Sequence, residues 1–185
     1  PTNGVIIILA VSSDSAMLQT IKSRTKKIYL NIWNYEDLAK ELSKIDINHK
    51  NIELATKFSK GNLTKAKSLL TDENFQNCYQ NMLALLTDFT STALIGQFVK
   101  NLGIDKEQIA YSMSIIEGII SDTISDITTG IESELTNKYR VSTLANLSDL
   151  VVETNKRLNS NCNPQAVATN FLLKLAEIKY LTAEN

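Results

Sequence analysis

The chain has 185 residues, 43% of them apolar, with 19 lysines and arginines against 20 acids and a net charge of −1. That is enough apolar side chain for one or two packed cores, and the balanced charge excludes a protein that recruits a polyanion with its whole surface. Two distant cysteines, Cys78 and Cys162, and one histidine, His49, exclude a disulfide scaffold and a zinc site of ordinary spacing, as in a reduced, cytoplasmic protein.

The first element is "VIIILAV", residues 5–11. It is far short of the roughly 18 residues that a membrane span needs, and it lacks the basic flank and cleavage region of a signal peptide. It is predicted as a strand buried on both faces, of the kind found inside a covered sheet. No comparable strand follows, so the rest of its sheet is expected upstream of Pro1. Ser12, Ser13, Asp14 and Ser15 then predict a turn, with Asp14 or Ser15 capping a short helix through about Thr20. "KKIYLNI", 26–32, alternates with Ile28, Leu30 and Ile32 on one side and predicts a second strand.

After Trp33 the pattern turns helical. "YEDLAKELSKI" places Leu38, Leu42 and Ile45 on one face behind a capping Asn34. "HKNIELATKFSKGN" turns Ile52, Ala55 and Phe58 inward and stops at Gly61, and "LTKAKSLL" makes a third short helix. "TDEN" marks a boundary. Beyond it, 74–90 carries Phe75, Cys78, Met82, Leu85 and Leu86 on one side, and 92–101 ends at Gly103. Ile109, Met113, Ile116, Ile120, Ile124, Ile127, Ile131 and Leu135 recur every three or four residues, which predicts one helix of about eight turns. Gly118 and Gly130 each weaken it by about 1 kcal/mol relative to Ala, so close packing or a bend is expected at them. Helices over 142–159 and 164–181 close the chain, with Pro164 at a first helical position.

Catalytic templates fail on this sequence. A nucleophile with a histidine base would have to use His49, on a lysine-rich amphipathic helix. The six glycines are scattered, and none stands in a phosphate-loop context. Glu132 and Glu134 fall on the outer side of their helix. The segment around Arg24 differs. It is one of three arginines against sixteen lysines, so a planar, multi-donor head is used where a lysine would supply charge alone. Its plain alternatives are a solvated surface arginine and an intrachain ion pair. Lys22, Arg24, Lys26 and Lys27 form a short basic cluster, but without the interleaved aromatics of a nucleic-acid surface.

Thr20-Ile21-Lys22-Ser23-Arg24-Thr25 resembles the Thr-Ile-x-Ser-Arg-Cys motif of the AAA+ clamp-loader subunits of bacterial DNA polymerase III, with Thr25 in place of the Cys. In that family a buried strand leads through the sensor-1 turn, here Ser12 or Ser13, into the motif. Pro1-Thr2-Asn3 resembles the stretch after the Walker B-like region. "ELATKFSKGNLTKAKSLL" is similar to the family's lid stretch, and "NSNCNPQAVATNFLLKL" to the last helix of its collar. The resemblance covers essentially the whole chain, but motif-level identity is confined to these patches.

The resemblance implies a mainly α chain: a short β-containing remnant of an AAA+ nucleotide-binding domain over 1–33, a three-helix lid over 34–73, and a helical-bundle collar for oligomerisation over 74–185. It implies a non-catalytic structural subunit that holds the ring together during sliding-clamp loading. Arg24 would act in trans as an arginine finger on a neighbouring ATPase site, stabilising the transferring phosphoryl group, and Ser23 would support the motif's turn. Thr64 and Lys65 stand where the family's ATPases carry a sensor-2 Arg, which implies no ATP hydrolysis by this chain itself. The implied partners are the ATPase (gamma/tau-type) and delta subunits through the collar, and the sliding clamp and primed DNA through the assembled complex. No cofactor, metal or membrane is implied. The rival readings are a fragment of the ATPase motor subunit and an unrelated helical interaction module.

Overall fold

A computed structural model describes residues 4–11, 13, 15, 17–89, 91–160 and 162–183. The chain divides into two compact units, Pro1–Ile32 and Trp33–Asn185. It is mainly helical, and the described residues contain no strand.

Among the described residues of the first unit the one α-helix is α1 (Gln19–Lys22), which starts after Leu18. The capped helix expected from Asp14 or Ser15 is not its start, and Asp14 lies outside the described residues. Both expected strands are corrected as well. Residues 5–11 and 26–32 carry no regular secondary structure, and their apolar side chains face solvent, with Ile6 88% and Leu30 91% exposed. A strand is completed by hydrogen bonds to a neighbour, and one that is apolar on both faces also needs a layer above and below. Among the described residues nothing supplies either.

The second unit begins with α2 (Tyr35–Leu42), α3 (His49–Ser59) and α4 (Leu63–Thr71). Asn34, Asn48 and Asn62 each accept a backbone N–H of the following first turn through their side chains, so every start is capped locally. α3 stops where Lys60 and Gly61 both take left-handed dihedrals, φ 51° and 79°. The three helices pack on one another around Leu38, Leu42, Ile52, Ala55, Ala66 and Leu70. Ile45 falls beyond the end of α2 and is exposed.

The bundle follows as α5 (Glu73–Asp88), a 3-10 turn (Thr92–Leu94), α6 (Ile95–Leu102), α7 (Lys106–Thr129), α8 (Glu134–Lys138), α9 (Val141–Asn159) and α10 (Pro164–Ala183). α7 packs between α5 and α9, α9 also on α10, and α10 on α6. Their inner faces make one core that includes Met82, Leu85, Met113, Leu172 and Leu175, all fully buried. The expected eight-turn helix is shorter. Gly130 adopts φ 75°, its N–H and that of Ile131 return to the last carbonyls of α7, and Ile131 is left exposed. Leu135 is buried, but from the separate helix α8. No helix among the described residues is long and apolar enough to cross a membrane.

Candidate functional site

The Arg24 turn is built by its two neighbours. The Ser23 N–H returns to the Gln19 carbonyl at 3.1 Å and its hydroxyl donates to the Thr20 carbonyl at 3.2 Å. The Thr25 hydroxyl donates to the Ile21 carbonyl at 2.9 Å, and the Arg24 N–H reaches the same carbonyl at 3.1 Å. Ser23 and Thr25 thus satisfy carbonyls that the end of α1 leaves open. Arg24 is exposed, and among the described residues no ion pair or hydrogen bond engages its guanidinium. Arg157 behaves oppositely: its two terminal nitrogens donate to Glu153 Oε1 at 2.6 Å and Asn170 Oδ1 at 3.0 Å. Ser13 pairs through its hydroxyl with Ser15 at 2.6 Å. Ser12 and Pro1-Thr2-Asn3, the other positions of the family-like stretch, lie outside the described residues.

The remaining candidate groups do not converge. His49 is exposed at the first residue of α3. Cys78 is half-buried with its sulfur 3.6 Å from the Ser112 hydroxyl, and burial pushes its thiol above the ordinary value, away from a reactive thiolate. Glu132 and Glu134 are exposed, as are Thr64 and Lys65. Among the described residues no three of His, Cys, Asp or Glu gather where a metal would bind.

Two polar constellations in the second unit escaped sequence reasoning. At the C-terminal end of α5, Lys179 Nζ donates to the carbonyls of Leu86 and Phe89 at 2.8 Å and of Leu85 at 3.3 Å. Lys138 donates to the Thr87 carbonyl, and the Tyr139 hydroxyl to that of Leu86 at 2.6 Å. Two cations and a phenol from α8, α10 and the residue after α8 therefore cover a helix end that is rich in open carbonyls and partial negative charge. The ammonium also lies 5.8 Å from the ring centres of both Phe89 and Tyr139. Burial, and then the neighbouring Lys138, lower the Lys179 amine to about 7, against a smaller opposing pull from Asp88. Burial likewise pushes the Tyr139 phenol up. These groups line a cavity of about 790 Å³, bounded on its apolar side by Phe89, Leu173 and Tyr180. The signal for it was present: Lys179 stands seven residues after Leu172 and four after Leu175, on the apolar stripe of α10.

The second constellation joins α3 to the bundle. Lys57 Nζ is 3.2 Å from Glu53 Oε1 and 3.6 Å from Asp122 Oδ2. Next to it the Phe58 ring meets Phe75 and Tyr79 edge-on, with centroids at 5.3 and 5.7 Å. Burial raises the Asp122 carboxyl in spite of Lys57. Phe58, expected to face the small three-helix core, is turned to the bundle instead. No charge lies near enough in sequence to have revealed the pair with Asp122.

Compared with known proteins, the chain matches no family model, no curated protein and no solved structure.

Proposed function

We propose that the chain is a non-catalytic, delta-prime-type subunit of a replicative clamp loader, with Arg24 reaching in trans into the ATP site of a neighbouring subunit. The observation that carries the reading is Arg24 itself. It is an arginine in a lysine-rich chain, exposed at the end of a short helix, in a turn fastened on both sides by Ser23 and Thr25. A finger of this kind needs a fixed backbone and an uncommitted guanidinium, because its work is to meet charge that develops on a phosphoryl group it does not itself bind. The exposed apolar stretches on either side of the turn also fit a segment completed by further polypeptide, as in a nucleotide-binding-type domain.

In this reading the bundle of α5–α10 is the collar, contacting the ATPase and delta subunits by helix packing, while clamp and primed DNA are met by the assembled complex. Thr64 and Lys65, in place of a sensor-2 arginine, favour a subunit that assists hydrolysis over the motor itself. The cavity beside Leu173 and Tyr180 favours a second reading, a helical interaction module with no part in replication.

The experiment is DNA-stimulated ATP hydrolysis by the complex reconstituted from the chain in its full-length form, motor subunits, delta subunit, clamp and primed DNA. With assembly held equal by size-exclusion chromatography, Arg24→Ala is expected to slow turnover by about a thousandfold, and Arg24→Lys to recover little of it. Unchanged turnover in an assembled complex would remove the finger and leave a scaffold. If the unmutated chain formed no complex, the interaction-module reading would take its place.

A further inference from the structure

The three-helix unit and the bundle are joined by one residue and held together by a few side chains. Asp72 is at once the C-cap of α4 and the N-cap of α5, in an extended conformation of φ −87° and ψ 98°. α2, α3 and α4 pack on one another and only touch the bundle. The touching side chains are few: Leu54, Phe58 and Leu69 reach the large core, Lys57 reaches Asp122, and the Gln76 side-chain amide donates across the joint to the Leu70 carbonyl at 3.2 Å.

Phe58 is the central member of this set. Its ring occupies the space that a side chain at position 118 would take, since a Cβ on Gly118 would lie 2.3 Å from Phe58 Cε1. Gly118 sits in mid-helix, where glycine otherwise only weakens α7, so the notch is its evident use. Beside the ring the junction is incompletely filled, leaving a cavity of about 360 Å³ that Lys65, Tyr111 and Ser114 help to line.

We infer that the three-helix unit is a hinged element of the bundle, pivoting at Asp72 and latched by the Phe58 ring in the notch of Gly118. A one-residue connection is enough to absorb the change in backbone angles of a hinge. Small, partly polar contacts between compact parts leave relative motion as the expected behaviour, whereas a large apolar interface would forbid it. The Lys57–Asp122 pair gives the closed state its orientation, because the half-buried carboxylate gains too little from Lys57 to offset its burial. The apolar ring supplies the holding force. This device is independent of the clamp-loader reading.

Two substitutions test it from opposite sides. Gly118→Ala improves α7 as a helix while expelling the ring, and Phe58→Leu removes the ring but keeps an apolar side chain. Spin labels at Lys40→Cys on α2 and Lys156→Cys on α9, in a Cys78→Ser, Cys162→Ser background of the whole chain, report the separation of the two parts. The parent is expected to give one narrow distance. Both variants are expected to add a second, broader population, with far-UV circular dichroism unchanged. Amides of 35–71 are expected to exchange roughly tenfold faster than in the parent, while those of α7 and α9 keep their protection. An unchanged single distance in Gly118→Ala, or a loss of protection spread evenly over 35–183, would overturn the hinge and make the second unit one rigid body.

Discussion

Residues 5–32 and the helices that follow are written in the same apolar vocabulary and end in opposite environments. Ile6, Ile8 and Leu30 stand almost fully in solvent, while Leu42, Ile109 and Leu172 are completely buried. The difference lies in what each backbone needs. A helix closes its hydrogen bonds within itself, so an amphipathic helix needs only another apolar face to pack on. An extended segment leaves all of its backbone groups open until neighbouring strands arrive. The helical body therefore buries its apolar faces on its own helices, whereas the described apolar residues of the first unit stay exposed.

The sharpest way to break that comparison is to truncate one residue in each region. Met113→Ala in the bundle core is expected to cost about 2–5 kcal/mol in urea unfolding of the chain. Ile8→Ala is expected to change the same transition by no more than about 0.5 kcal/mol. A comparable loss from both would mean that the first unit is packed after all.

Next in size is the amine cap of α5. Lys179→Met removes the amine that donates to the carbonyls ending α5 and is expected to cost about 1–3 kcal/mol at pH 8. The pH dependence has a definite sign. The folded amine titrates at about 7, below the ordinary 10.5, so between those values the unfolded chain holds a proton that the folded chain has released. Stability from this group therefore rises with pH across that window and is lowest below 7, where both states carry the charge. Urea midpoints from pH 6 to 10 should show the slope in the parent and lose it in Lys179→Met, and the Lys179 13Cε resonance should titrate near neutrality.

Smaller effects sharpen the picture of local design. Asn62→Ala removes the side-chain acceptor of the Lys65 N–H at 3.0 Å and is expected to cost about 1 kcal/mol, read in the thermal transition. Asp122→Asn is expected to move stability by less than about 1 kcal/mol. Because burial raises this carboxyl, its contribution is fully present below the ordinary carboxylate range and is lost as pH rises through the raised value. The variant should thus be flat where the parent declines. Arg24→Ala is expected to leave unfolding unchanged within about 0.5 kcal/mol, since nothing among the described residues rests on its guanidinium.

Much of the helical body was legible residue by residue. Asn34, Gly61, Gly103 and Pro164 announce their boundaries because caps and left-handed stops depend on two or three neighbouring residues. The stripes of Met82, Leu85 and Leu86 or of Ile109, Met113 and Ile116 depend only on a 3.6-residue period. The long stripe misled at Ile131 because periodicity continues through Gly130 while the backbone, turned left-handed there, does not. Of the Arg24 site, the family resemblance implied a turn supported by Ser23, while the Thr25 hydroxyl on the Ile21 carbonyl was not anticipated.

What the sequence determined alone was therefore helix content, most helix starts and most of the apolar faces, all set by local hydrogen bonding and side-chain period. Tertiary structure decided which face each stripe meets. It turned Phe58 from its own small core into the notch of Gly118, sixty residues away, and drew Lys179 onto the carbonyls of α5, ninety residues away. It also left the apolar residues of 5–11 uncovered. Those outcomes rest on contacts between distant segments, and no local rule specifies which distant segment arrives.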